Sequence, residues 1–471
     1  MQMSIKPTLA VLGALVIATS STPAADPPVQ VYILAGQSNM VGIGQVTGGN
    51  TRWGDQFTEM VVSHYEGEPD AATDYDALEP VKTVALGPFA GEGSEPFPAG
   101  DTTVVRGSFT PETTGLYQFN PGWDASTFNI MTVNGREVHR KEQPGERVHT
   151  PIQLTGGETV PFTITYLGPV TRVIGWTSRL DTPGTLTSLV KYQGQFPHLL
   201  GQDGDWRSRD DVWYRGVVTA SANQWLAPGC GANAGAIGPE LGFGHKMGDF
   251  HDEPVLIIKA SQGNRSLAWD FLPPGSERFE IDGTVYAGYK DPKPSWPAGE
   301  TPETGEWYAG KQYDDCFDAV KELLANFDES FPHWAGRDHE ISGFVWFQGH
   351  KDAGSDVHAN RYEQNLVHLI KTLREEFQAP GAPFVVAVGC GSEGREGNAL
   401  VVAEAQLAVC GTSGNYPGFK GNVRTVETRD YFPAVEDSPR NQGFHYHQNA
   451  GTYMQIGEAM GRGMIELRQG R

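Results

Sequence analysis

The chain has 471 residues, with 57 acidic against 35 basic side chains and a formal net charge of −22. So acidic a surface repels phosphate backbones and anionic lipid headgroups, and neither nucleic acid nor membrane is expected as a partner. Hydrophobic residues make up 38%, enough for packed cores and too many for a disordered chain, and the length points to two domains.

Residues 1–25 carry Lys6, an apolar stretch from Leu9 to Ala18 and small residues ending in TPAA. This is the pattern of a signal peptide cleaved near Ala24 or Ala25, and its apolar core is too short to span a bilayer. An exported protein, periplasmic or extracellular, is expected. The four cysteines (Cys230, Cys316, Cys390 and Cys410) would allow one or two disulfides in an oxidising compartment. Their spacing matches no zinc-ligand pattern, so no metal is assigned to them, and no cofactor is expected.

The next stretch, VQVYILAGQSNMVG over Val29–Gly42, carries the most information. A β-branched apolar run that stops at glycine reads as a buried parallel strand near residues 30–35. Open α/β sheets place reactive groups just past the carboxyl ends of such strands, and Ser38 stands there, with Asn39 in position to cap a following helix. Met40 rules out the G-x-S-x-G nucleophile elbow.

From about Val81 to Leu180 the texture changes. Short alternating runs are separated by turn pairs such as Asn134-Gly135 and Gly156-Gly157, and no helical period occurs. An all-β sandwich is expected there. Beyond it, four further strands are expected: Val255–Ser261, Gly343–Gly349, Phe384–Cys390 and Val423–Thr428. Helix-like stretches lie at Asp314–Phe331, Arg361–Phe377, Asn398–Ala408 and Thr452–Gln469. Strands alternating with helices predict a three-layer α/β/α domain around a five-stranded parallel sheet. The expected division is a leader at 1–25, an α/β domain in two parts (26–80 and 181–471), and the sandwich at 81–180.

The chemistry-bearing residues fall at the ends of these runs. VLIIKAS leads into Gln262-Gly263-Asn264, GFVWFQG into His350-Lys351-Asp352, and GFHYHQN precedes the last helix. Ester hydrolysis needs a hydroxyl, a base, a group that orients the base, and donors for the oxyanion. Those loops, with Ser38, would bring such groups to one edge of the sheet.

GQSNMVG resembles the first block of the SGNH-hydrolase superfamily, in its sialate O-acetylesterase and acetylxylan-esterase branch. The resemblance spans residues 29–42 and about 195–465. It implies a flavodoxin-like fold and a secreted serine esterase that removes acetyl groups from sialic acid or plant polysaccharide, with an acetylated carbohydrate as substrate. Ser38 would be the nucleophile and His445 the base, with His447 as an accessory or substrate contact, although the register also admits His447 as the base. Ser38, Gly263 and Gln348 would hold the oxyanion. Asn264 stands where relatives often carry a second Gly, and His350 where others carry Glu. The superfamily's Asp three residues before the base is here Gln442, or Phe444 in the other register, and neither ionises. The site is then a Ser-His dyad, or a carboxylate arrives from elsewhere: Asp437 foremost, with Glu436 and Asp352 as neighbours to weigh. The sandwich resembles the sugar-associated modules of the protective-antigen type. A carbohydrate-binding protein on an inactive hydrolase scaffold and a lipid or aryl esterase of the same fold are the alternatives.

Overall fold

The computed structural model describes residues 26–87, 89, 93–122, 128–142, 146–391 and 393–470. The expected leader therefore lies outside the described residues. One seven-stranded sheet carries the site. Its strands are β1 (Val29–Gly36), β2 (Val212–Val217), β3 (Asn223–Trp225), β4 (Val255–Ser261), β5 (His339–Phe347), β6 (Phe384–Val388) and β7 (Val423–Glu427), in the order β3-β2-β4-β1-β5-β6-β7. All neighbours pair in parallel except β3, which closes one edge antiparallel to β2. The five expected strands are all present and adjacent. The expected count of five is corrected to seven by β2 and β3, a hairpin between the all-β region and β4.

β1 lies at the centre with every residue buried. Val29, Val31, Ile33 and Ala35 pack with Phe317, Leu366 and Ile370 on one face, and Tyr32 and Leu34 pack with Phe243 and Met460 on the other. This two-faced burial explains why the strand reads as a continuous apolar run. Helices α1 (Ser38–Val41), α2 (Pro239–Phe250), α3 (Lys311–Ala325), α4 (Asp356–Glu376), α5 (Gly397–Ala408) and α6 (Ala450–Arg468) account for the helical structure nearest the site. α3, α4 and α5 cover the first face, α2 and α6 the second. α2 was not expected from the sequence. It contains three glycines and is buried along most of its length, so no amphipathic stripe announces it. Its glycines and those of α6 serve close packing: a Cβ at Gly457 would stand 2.1 Å from the Pro239 carbonyl oxygen.

Between β1 and β2 the chain forms two antiparallel sheets. One has seven strands running in sequence from Phe57–Tyr65 to Val160–Leu167, the other four: Asn50–Arg52, Gly115–Pro121, Ile152–Leu154 and Gly175–Arg179. Phe57, Phe109 and Ile164 of the first share a core with Tyr117, Phe119 and Leu154 of the second. This region begins near Asn50, about thirty residues before the expected boundary at 81. The first long strand was hidden by a register shift between Thr58 and Val61, with Glu59 at φ 55°, which breaks the alternation a strand shows in sequence.

None of the four cysteines is bonded to another, so the disulfides that their number allowed do not form. No helix among the described residues is long and apolar enough to cross a membrane.

Candidate active site

β1 ends at Gly36, where a Cβ would stand 2.1 Å from the Phe347 carbonyl oxygen, so only glycine lets β1 and β5 finish side by side. The chain then turns into α1, with Gln37 at its N-cap and Ser38 as its first residue. Gln37, and not the expected Asn39, holds the N-cap position, but its side chain makes no bond to the helix; its Oε1 accepts instead from the backbone N–H groups of Gly349 and Lys351 at 3.3 Å each. The last carbonyl of this short helix, that of Val41, accepts a 2.7 Å hydrogen bond from Lys259 Nζ. Lys259 also pairs with Glu240 at 2.8 Å, with both side chains fully buried. Burial is the largest influence on each, raising the Glu240 carboxyl and lowering the Lys259 ammonium, and their mutual attraction opposes it. A cation under the C-terminal end of α1 thus fixes the turn that presents Ser38.

His445 comes from the loop Gly443–Gln448, which leads into α6. Its Nε2 lies 2.9 Å from Ser38 Oγ, across 407 residues of sequence. His447, the other candidate base, faces away: its Nδ1 accepts from the Gln442 backbone N–H at 3.0 Å, and its ring packs edge-on to Phe432. Tyr446, His447 and Gln448 all have left-handed backbone, at φ 50°, 52° and 59°. Three such non-glycine residues in a row cost on the order of 1–3 kcal/mol each, and such strain persists only where surrounding contacts over-determine it. Here the buried Tyr446 hydroxyl donates to the Gly389 carbonyl at 2.6 Å and accepts from Gly391 N at 3.0 Å. Asn449 caps α6 by accepting from Thr452 N at 3.2 Å.

Asn39, buried in α1, was seen in the sequence only as a cap. Its Nδ2 donates to the Phe444 carbonyl at 3.1 Å, and its Oδ1 accepts from the Tyr453 hydroxyl at 2.8 Å. It therefore ties the Ser38 turn to the His445 loop.

Among the described residues no carboxylate orients His445. Its Nδ1 is buried and has no hydrogen-bond partner. Asp437 is exposed, and it is its backbone carbonyl that is engaged, accepting from Asn449 Nδ2 at 2.9 Å. Glu436 is likewise exposed. Asp352, the next expected candidate, is fully buried elsewhere in the site. Its two oxygens accept from Gln348 Nε2 (2.6 Å), Leu267 N (2.8 Å) and Ala268 N (2.9 Å). Burial pushes its carboxyl up to about 6 despite those bonds. Desolvation, and after it the nearby His350, lowers the His445 imidazole to about 4. His350 stacks on Phe444, with centroids 6.0 Å apart.

Of the expected oxyanion donors, Gly263 lies beside Ser38: a Cβ placed on it would be 3.6 Å from Ser38 Cβ. Neither the Ser38 nor the Gly263 N–H takes part in the backbone hydrogen bonding of its neighbours. Gln348 departs from expectation. Its Nε2 is committed to Asp352, to the Arg265 carbonyl at 2.9 Å and to Gln37 Oε1 at 3.3 Å, and no hydrogen bond joins it to Ser38. It braces the loop that carries Gly263. Asn264 is exposed with left-handed backbone at φ 55°, the conformation that a second glycine would adopt freely. Among the described residues, no group of three or more His, Cys, Asp or Glu is placed to hold a metal.

The chain is similar to several solved structures. A protein from Arabidopsis thaliana shares 14% identity over 56% of this chain and 88% of its own, with a TM-score of 0.36. A carbohydrate acetylesterase from Xanthomonas citri shares 13% over 79% of this chain and 72% of its own, with a TM-score of 0.35. NanS shares 12% over 95% of this chain and 99% of its own, with a TM-score of 0.34. No curated protein matches the chain. The family model described as carbohydrate esterase, sialic acid-specific acetylesterase, matches residues 217–466, the segment that holds Gly263, Gln348 and His445. With more than half of its length matched, the chain belongs to this carbohydrate esterase family, within the SGNH-hydrolase branch that its GQSNMVG block resembles.

Proposed function

We propose that the protein is an exported serine esterase that removes O-acetyl groups from sialic acid or from a plant polysaccharide. The observation that carries this reading is the 2.9 Å contact between Ser38 Oγ and His445 Nε2, with Gly263 beside it. In the proposed reaction Ser38 Oγ attacks the acetyl carbonyl carbon and passes its proton to His445 Nε2. The Ser38 and Gly263 N–H groups hold the oxyanion of the tetrahedral intermediate. Collapse expels the sugar hydroxyl, which takes the proton back from His445, and leaves an acetyl-serine. Water, deprotonated by the same imidazole, then releases acetate.

In this reading the base works as a dyad with Ser38. A half-buried imidazole lowered to about 4 is neutral at pH 7 and ready to accept a proton. The two antiparallel sheets between β1 and β2 are proposed to be an inserted sandwich module that divides the hydrolase domain, and residues 1–25 a cleaved leader. A second reading, a carbohydrate-binding protein on an inactive scaffold, is favoured by the unpartnered His445 Nδ1. Acetate release from acetylated xylan and from O-acetylated sialic acid, with a longer-chain ester as control, separates these readings. Turnover of either acetylated sugar that disappears in Ser38→Ala supports the esterase. Binding without acetate release supports the inactive scaffold.

A further inference from the structure

A second cavity, of about 540 Å³, opens between α4 and the small sheet formed by Phe279–Ile281, Thr284–Tyr286 and Ser295–Pro297. Neither Ser38, Gly263 nor His445 lines it. Its size lies within the range of small-ligand sites, roughly 300–1,000 Å³. One wall is a single face of α4, where His358, Arg361, Asn365, His368 and Lys371 recur at steps of three and four residues. That polar row replaces the apolar stripe that the opposite face buries against the sheet.

Arg361 is the unusual member. Its guanidinium carbon sits 4.1 Å above the Phe279 ring, and that ring stacks at 10° on Tyr286, centroids 5.0 Å apart. The aromatic pair holds the guanidinium flat and in place. Among the described residues Arg361 forms no ion pair, and its Nε is buried without a hydrogen-bond partner. Burial lowers its basicity. Ser276, on the same cavity wall, likewise has a buried hydroxyl with no partner. Buried polar groups without partners are rare, and each calls for an explanation such as a ligand. Lys371, also without an ion pair among the described residues, adds a second positive charge. Arg278 is neutralised by Asp291, and Glu277 is an exposed acid on the wall.

We infer that this cavity is a binding site for a carboxylate-bearing sugar, separate from the esterase centre, in which Arg361 receives the carboxylate. A planar guanidinium fixed on an aromatic ring suits a bidentate carboxylate, while Asn365 and the Ser276 hydroxyl suit sugar hydroxyls. The sugar part of the inference leans on membership of a carbohydrate esterase family and not on the serine mechanism. Ala268, on the loop that begins at Gly263, links the two places in the fold: it lines this cavity, and its N–H donates to Asp352.

The test uses full-length Ser38→Ala protein, so that binding is read without turnover. D-Glucuronate and D-glucose are titrated separately by calorimetry. Glucuronate should bind at least about tenfold more tightly than glucose, and Arg361→Gln should remove about tenfold of that affinity. Lys371→Gln, an exposed substitution with little bearing on folding, should cost about threefold through lost long-range attraction. Placed in the chain with Ser38 intact, Arg361→Gln should leave p-nitrophenyl acetate hydrolysis unchanged. Equal affinities for glucose and glucuronate, or glucuronate binding that neither substitution weakens, would overturn the inference. Displacement of glucuronate by inorganic phosphate at equal concentration would overturn the sugar assignment, because it marks a general anion site.

Discussion

The Asn39 side chain donates to the backbone carbonyl of Phe444 across 3.1 Å, joining the turn that carries Ser38 to the residue before His445. The two proposed reacting groups are thereby referenced to each other and not merely to the sheet. Removing this amide in Asn39→Ala takes the 2.8 Å acceptor from the buried Tyr453 hydroxyl and leaves it only the His445 carbonyl at 3.5 Å, a loss of about 1 kcal/mol. A displacement of His445 by an ångström costs on the order of 100-fold in rate. Asn39→Ala should therefore lower both the urea-unfolding free energy and kcat on an acetyl ester, and an unchanged kcat in a folded variant would show that the tie is dispensable.

The absence of a partner on His445 Nδ1 distinguishes a dyad from a triad. Removing a true Asp orienter costs about four orders of magnitude in the serine-protease case. Asp437 is exposed and its carboxylate touches nothing in the site, so Asp437→Asn should retain turnover within about threefold of wild type, while Ser38→Ala and His445→Ala are inactive. A severe loss in Asp437→Asn would restore the carboxylate to the mechanism.

The pH profile follows from the same burial. The proposed base, His445, would act in its neutral form, and desolvation lowers it from 6.5 to about 4. The kcat/KM of an acetyl ester should stay level from about pH 7 down to about pH 5 and fall only as pH passes below the lowered value. An acid limb centred near 6.5 would mean that the imidazole is solvated in the working enzyme.

Asp352 holds three donors at once, two of them backbone N–H groups of the loop that begins at Gly263. Asn offers a single acceptor oxygen and adds donors, so Asp352→Asn leaves at least one buried N–H unsatisfied, at about 1–3 kcal/mol. The sign of the pH dependence is set by the raised carboxyl. In the wild type its burial cost is relieved as pH falls from about 6 towards 3.8, because the folded state then takes up a proton that the unfolded state does not. The stability gap between wild type and Asp352→Asn, followed by chemical denaturation, should therefore widen over that acid interval.

Lys259 and Glu240 share a fully buried salt bridge beneath α1. Lys259→Met strands a carboxylate and uncaps Val41, and breaking one side of such a pair costs about 3–5 kcal/mol. The double variant with Glu240→Gln should recover part of that loss, because Gln keeps an acceptor for Gly238 N. Purely additive losses would show that the two side chains are not coupled.

Much of this organisation was legible in the chain. Val255–Ser261 was delimited to the residue, because a strand buried on both faces must be apolar throughout. Ser38 was picked out at the end of its strand, Gly263 and His445 through the family resemblance, and the topology brings all three to one edge of the sheet. What local patterns do not mark stayed hidden. β2 and β3 form a mixed-polarity hairpin, α2 is glycine-rich and buried all round, and the Phe57–Tyr65 strand is interrupted by its bulge.

The sequence by itself determined the parallel sheet, the place of Ser38 at the end of its first strand, and the pair of histidines before the last helix. Which histidine turns to Ser38 was decided only by the tertiary structure. A left-handed run from Tyr446 to Gln448, held by hydrogen bonds to Gly389 and Gly391 some 55 residues away in the chain, swings His447 towards Gln442 and leaves His445 facing the serine. The same holds for the orienting acid and for Gln348. Proximity in sequence suggested Asp437, and the family resemblance implied Gln348 as an oxyanion donor, but a side chain's partner is set by packing among distant segments. Here that packing gives Gln348 to Asp352 and leaves the His445 Nδ1 with no partner among the described residues.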